Sequence, residues 1–174
     1  MTIRPTPLLL ALALLGCKPA AEPSASDVVR QFYAATINGK VTGAPTAEQL
    51  TTLSPYLSDT LRLLLTAARK RSEADAAKSP DEKPSFVEGD LFSSLFEGPN
   101  AIEVLPDSAR GERRVASVKM TANAANPLVT WVDRAVLVRQ GDRYVIDDIE
   151  YGGTWDFANK GSLRAMLISG ITAP

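Results

Sequence analysis

The chain of 174 residues has no histidine and a single cysteine, Cys17. The missing histidine removes the commonest general base and metal ligand, and every Ser-His-Asp or Cys-His arrangement with it. One cysteine permits neither an internal disulfide nor a Cys/His zinc site, so stability has to come from packing. There is no excess of charge of either sign: 19 basic residues face 20 acidic ones, a formal net charge of −1. Nucleic-acid binding needs a basic stripe, which this balance does not provide. No motif calls for a cofactor. Chemistry is left to carboxylates, lysines and tyrosines, and no second catalytic residue accompanies any of them, so the chain reads as a non-enzyme.

Long hydrophobic runs are also missing, except for the leucine and alanine run at 8–15, which follows the basic Arg4. A basic start followed by roughly 7–15 apolar residues is the pattern of a secretory signal peptide. Crossing a bilayer takes about 20 apolar residues, so the run is too short to span one. It ends in Leu14-Leu15-Gly16-Cys17, which resembles the lipobox read by the lipoprotein signal peptidase. That chemistry needs a small residue before the cut and a thiol that can be alkylated by a diacylglyceryl group. Leu15 is larger than the usual residue at its position. The expectation is removal of residues 1–16 and lipidation of Cys17, with palmitate among the attached chains. Each buried methylene contributes roughly 0.8 kcal/mol, and one acyl chain gives only marginal binding; the two or three chains implied by the resemblance anchor a protein stably. Lys18, where an aspartate favours inner-membrane retention in enterobacteria, points by analogy to the outer membrane, facing the periplasm. Residues 17–25 read as the lipidated cysteine and a flexible tether, and 26–174 as one domain large enough to bury a core.

Within the domain the first half carries helical signals. Ser26 is placed to cap a helix bearing Val28, Val29, Phe32, Tyr33 and Ile37, ending near Asn38-Gly39. Thr46 and Gln49 have capping-box spacing. Ser54-Pro55 fits the start of a further helix, whose stripe of Tyr56, Leu57, Leu61, Leu64, Leu65 and Ala68 runs out in Arg69-Lys70-Arg71. Residues 72–85 read as a fraying end and exposed loop. Residues 86–96, the densest aromatic stretch, fit either a short helix or a cap over the core.

From residue 101 the period changes to that of strands, at 101–105, 114–121, 128–139 and 143–151. Gly141-Asp142 is a two-residue hairpin turn, with Arg139 opposite Tyr144, Val136 opposite Asp147 and Asp133 opposite Glu150. A short helix near 162–168 closes the chain. Helices followed by an antiparallel meander argue an α+β fold, with N-terminal helices packed on one face of a curved sheet.

A capped helix carrying Phe32-Tyr33, a helical pair, and a meander ending in Tyr144-Val145-Ile146-Asp147-Asp148-Ile149-Glu150-Tyr151 resemble a family of small bacterial lipoproteins with a cone-shaped fold like nuclear transport factor 2 (NTF2). The resemblance covers about residues 26–157 and excludes the closing helix. It implies a sheet wrapped around a pocket, with no agreed ligand, and such a fold does not settle function.

Three constellations stand out. Asp148 and Glu150 share a strand face, and Asp133 is expected opposite Glu150. Opposed like charges are unfavourable, so a divalent cation or a neighbour such as Arg134 or Arg143 should compensate; no metal site is assigned, and a solvated face is the plainer reading. Asp147 lies between Val145 and Ile149 on a face that reads as buried, so its carboxylate should be partnered or hard to ionise. Tyr33, Tyr56, Trp131, Tyr151 and Trp155 would line the mouth of a cone around Asp147, or else pack the core. The partners expected are a membrane through the lipid anchor, and an envelope protein or a small or lipidic ligand. The other roles left open are an inhibitor or immunity-type protein using the loop at 75–85 or 152–155, and a weak hydrolase or isomerase using Asp147.

Overall fold

The computed structural model describes residues 23–123 and 128–173. Cys17 and the expected leader, residues 1–16, lie outside them. The order is α1 (Ala25–Asn38), α2 (Ala47–Leu53), a 3-10 turn (Ser54–Tyr56), α3 (Asp59–Lys78), β1 (Ala101–Val104), β2 (Ser108–Arg110), β3 (Arg113–Ala122), β4 (Val129–Gln140), β5 (Arg143–Glu150) and α4 (Leu163–Thr172). The fold class is α+β, an open antiparallel sheet with four helices. The helices are not confined to the N-terminal side, because α4 follows the sheet and packs on α3 and β5.

The sheet order is β1-β3-β4-β5, and β2 pairs with the edge of β3 that β1 leaves uncovered. Its core face carries Ala116, Val118 and Met120 of β3, Trp131, Ala135 and Leu137 of β4, and Ile146 and Ile149 of β5. Against it α1 buries Val28, Val29, Phe32 and Tyr33. Fully burying a side chain such as Phe32 stabilises the fold by about 2–3 kcal/mol.

Several local expectations are corrected. The cap of α1 is Ser24, not Ser26. Ser24 and Asp27 make a reciprocal capping box, and the helix starts at Ala25, one residue before the expected domain start at 26. Ser26 instead bonds Asp107. Ser54-Pro55 opens only the 3-10 turn; Leu57 is extended and bridges Ile146, and Ser58 caps α3. The Thr46–Gln49 capping box forms as read. Helix α3 does not run out at Arg71. Arg69–Glu73 and Arg71–Asp75 pairs one turn apart and the buried Ser72 carry it on to Lys78. Residues 86–96 form turns that cap the core, with Leu91 and Phe92 inside it.

The Gly141-Asp142 turn forms, and Gly141 takes φ +67°, the left-handed region that a first turn position of this kind demands. Near that turn Arg139 lies opposite Tyr144 as expected. Further along, the register shifts between Val136 and Leu137, so Val136 faces Asp148 and Arg134 faces Glu150. One extra residue, Asp147, is accommodated in β5, a β-bulge. Both pairings expected beyond the turn are therefore off by one. A second hairpin, joining β2 and β3 through Gly111-Glu112, was not foreseen.

Candidate functional site

The sheet has two chemically different ends. The hairpin turns, Gly111-Glu112 and Gly141-Asp142, lie at one. The opposite end, where β4 starts and β5 stops, is closed by the 86–98 segment and the 151–161 segment. There a buried carboxylate, Asp133, organises both segments.

Asp133 projects from the core face of β4 and is wholly buried. It accepts hydrogen bonds from Ser94 N–H (2.7 Å), Trp131 Nε1–H (3.0 Å), Gly152 N–H (2.8 Å) and the Ser94 hydroxyl. A buried charge with four donors is compensated where an unpartnered one would be untenable. The Ser94 hydroxyl also accepts from Gly153 N–H (2.9 Å), and Ser94 carbonyl from Asn159 N–H. Asn159 Nδ2 donates to the carbonyls of Asp90 and Ser93. Lys160 Nζ donates to those of Gly153 (2.9 Å) and Trp155 (2.8 Å). Gly152 is forced by close approach: a Cβ there would strike the carbonyl oxygen of Val132. The result is a platform of two interlocked loops. It presents Phe157, 92% exposed, to solvent.

Asp90 sits in the same network, beside a hollow of about 270 Å³ that Thr36, Lys40, Glu97 and Asn100 help to line. Burial pushes its carboxyl up to about 6; the Phe92 N–H and Ser93 pull it back, and Asp133 adds to the rise. Tyr33 and Tyr151 donate their hydroxyls to the carbonyls of Phe92 (2.9 Å) and Leu91 (2.6 Å). Burial, followed by repulsion from Asp90 and Asp133, raises both phenols above their ordinary range.

The candidate residues named from sequence are thus distributed rather than gathered. Tyr33, Trp131 and Tyr151 belong to the hydrophobic core, Trp131 with its ring edge-on to Trp155 at 5.9 Å between centroids. Tyr56 and Trp155 are half-buried against that core. The aromatics fill the interior instead of lining a mouth. Asp147 lies apart from them: one carboxylate oxygen accepts from the Ser58 hydroxyl (2.8 Å), the other from Arg164. The bulge that accommodates Asp147 turns it toward the helix-capping serine of α3 and the first turn of α4, which is a fastening role.

Asp133 does not oppose Glu150, because it points to the other face. Glu150 is held below its ordinary range, first by Arg110 and then by Arg134, against the opposing effect of partial burial. The expected compensation by Arg134 occurs, and the like-charge opposition that would have invited a cation is never made. Among the described residues, no group of three or more His, Cys, Asp or Glu side chains gathers as a metal site. Asp90, Ser94, Asn159, Lys160 and Phe157 were not singled out from sequence. The available signal was the Ser93-Ser94 pair set inside the apolar 86–96 stretch, polar groups that burial obliges to find partners.

No family model matches the chain. Over 149 residues it is 27% identical to the uncharacterized lipoprotein YbjP of Escherichia coli (strain K12), a match that spans 86% of this chain and 78% of that one. The solution structure of a SEC-C motif containing protein from Rhodopseudomonas palustris is similar at a TM-score of 0.41 and 15% identity, over 74% of this chain and 80% of that one. The likeness to a lipoprotein agrees with a membrane-associated place in the bacterial envelope.

Proposed function

We propose that the chain is a lipoprotein held through diacylated Cys17 on the periplasmic face of the outer membrane. Its domain, an NTF2-like cone with a filled interior, is a non-enzymatic binding module. It meets another envelope protein with the 152–157 loop. The observation that carries this reading is Phe157, almost fully exposed on a loop that Asp133, Ser94 and Lys160 hold in place. An exposed aromatic on a pre-ordered loop is a binding anchor whose ordering cost is already met on folding. The leader, the Gly16-Cys17 junction and the likeness to a lipoprotein support the anchor.

The same loop suits an inhibitor or immunity-type protein that blocks an envelope enzyme or toxin, and the partner's identity separates the two roles. Asp147 favours no catalytic reading, since both its oxygens accept hydrogen bonds inside the fold. A photo-reactive residue at position 157, cross-linked in whole cells with the Cys17→Ser chain as control, tests the proposal. One dominant protein adduct that disappears with Cys17→Ser is expected. Adducts no different from those of a probe placed at exposed Glu103 would overturn it.

A further inference from the structure

At the hairpin end of the sheet, two arginine-flanked turns lie side by side: Arg110-Gly111-Glu112-Arg113 and Gln140-Gly141-Asp142-Arg143. Arg110, Glu112, Arg113, Val138 and Arg139 line a surface hollow of about 600 Å³ between them. Arg110, Arg113, Arg139 and Arg143 are all exposed. Much of the nearby acid is already engaged. Asp107 holds Arg114, Glu150 is shared by Arg110 and Arg134, and Asp59 is taken by Arg62 and Gln140. Glu112 and Asp142 remain exposed on the turns. Arg139 stacks over Tyr144, 5.7 Å from the ring centroid. Arg113 and Arg143 have no ion pair or hydrogen bond from their side chains among the described residues.

The chain enters the domain at this same end. Helix α1 starts at Ala25, and the Ser26 hydroxyl donates to Asp107 (2.9 Å), whose carboxylate holds Arg114, the neighbour of Arg113. The stretch from 18 to 23 spans at most about 20 Å when fully extended. A lipid on Cys17 therefore keeps the start of the domain near the bilayer, with the arginine turns on the end of the sheet nearest that start and the Phe157 platform at the far end. Guanidinium groups pair with phosphate through two parallel hydrogen bonds, and basic groups close to an anionic leaflet are drawn to it within a Debye length.

We propose that this arginine-rich hairpin end is a second, electrostatic membrane contact that takes the anionic phospholipid headgroups of the leaflet holding the anchor. It rests on the reading of Cys17 as the lipid attachment point, and it sets the orientation of the domain: hairpins down, Phe157 platform outward.

The probe is the chain from residue 17 onward with Cys17→Ser, which carries no lipid and keeps every described residue. Flotation with vesicles of phosphatidylcholine alone is compared with vesicles containing equal phosphatidylglycerol. Binding to the anionic vesicles only, weakened by salt, is expected, with at least about a tenfold loss in an Arg113→Glu, Arg143→Glu double variant. Circular dichroism checks that the variant is folded. Equal flotation with both lipids, or no loss in the folded double variant, would overturn the proposal. So would inorganic phosphate alone binding the chain as tightly as the vesicles do, since the source would then be free anion. Failure of the anchor reading shows separately, as unchanged membrane fractionation of Cys17→Ser in cells.

Discussion

The two ends of the sheet handle charge in opposite ways. At the hairpin end Arg110, Arg113, Arg139 and Arg143 are exposed, and a half-exposed pair such as Arg110–Glu150 is worth little, about 0–1 kcal/mol. At the platform end Asp133 is wholly buried, and every donor around it is there because the carboxylate needs it. The lesson is that a charge in solvent is available to a partner, while a charge in the interior is consumed by the fold. At the platform end the exposed group is therefore the apolar tip that the network supports, Phe157, while the Asp133 carboxylate beneath it is engaged inside the fold.

The contrast can be broken most severely at Asp133. Asp133→Ala leaves the Ser94, Trp131 and Gly152 donors buried without an acceptor, with an expected loss of about 3–5 kcal/mol in urea unfolding. A loss below about 1 kcal/mol would mean that water replaces the carboxylate and that the platform is not built on it. Next comes Gly152→Ala, expected to cost about 2–4 kcal/mol because its Cβ meets the backbone of Val132. Both changes should also remove the cross-link from position 157, since the loop loses its anchorage.

Asp90 gives a pH test. Its folded carboxyl is raised from 3.8 to about 6, so between those values the folded state holds more proton than the unfolded one. Stability from this group is therefore fully present below pH 3.8 and is lost as pH rises through 6. Asp90→Asn, which keeps an acceptor for Phe92 N–H, should flatten that decline and add about 1–3 kcal/mol at pH 7. An unchanged slope between pH 4 and 6 would reassign the proton. Phe157→Ala should leave stability within about 0.5 kcal/mol while weakening capture of the partner protein. The smallest effect belongs to the hairpin end: the Arg113→Glu, Arg143→Glu variant should unfold within about 0.5 kcal/mol of the parent, because neither side chain holds the fold together.

Much of the architecture was legible in the sequence because it is written in local patterns. The 3.6-residue spacing of Val28, Val29, Phe32 and Tyr33 and the alternation of β3 to β5 required no tertiary information, and neither did the Gly141-Asp142 turn. The misreadings lie where a distant contact outweighs a local signal. Pro55 suits a helix start, but the bridge from Leu57 to Ile146 holds the chain extended. The turn sets the register only as far as Leu137, because Asp147 is pulled out of the ladder by Ser58 and Arg164, both remote in sequence. The aromatic residues were visible as a set, yet whether they line a mouth or fill the core depends on which elements close over them.

By itself the sequence determined the α+β class and the four main strands, since composition and periodicity are properties of the chain alone. The tertiary structure decided the rest: which carboxylates are committed to the fold, where Asp147 leaves the strand ladder, and that the arginine turns share an end with the start of the domain. Those facts depend on residues 39, 89 and 19 positions apart meeting in space, as in the Ser94–Asp133, Ser58–Asp147 and Asp133–Gly152 bonds, and no local pattern encodes such a meeting.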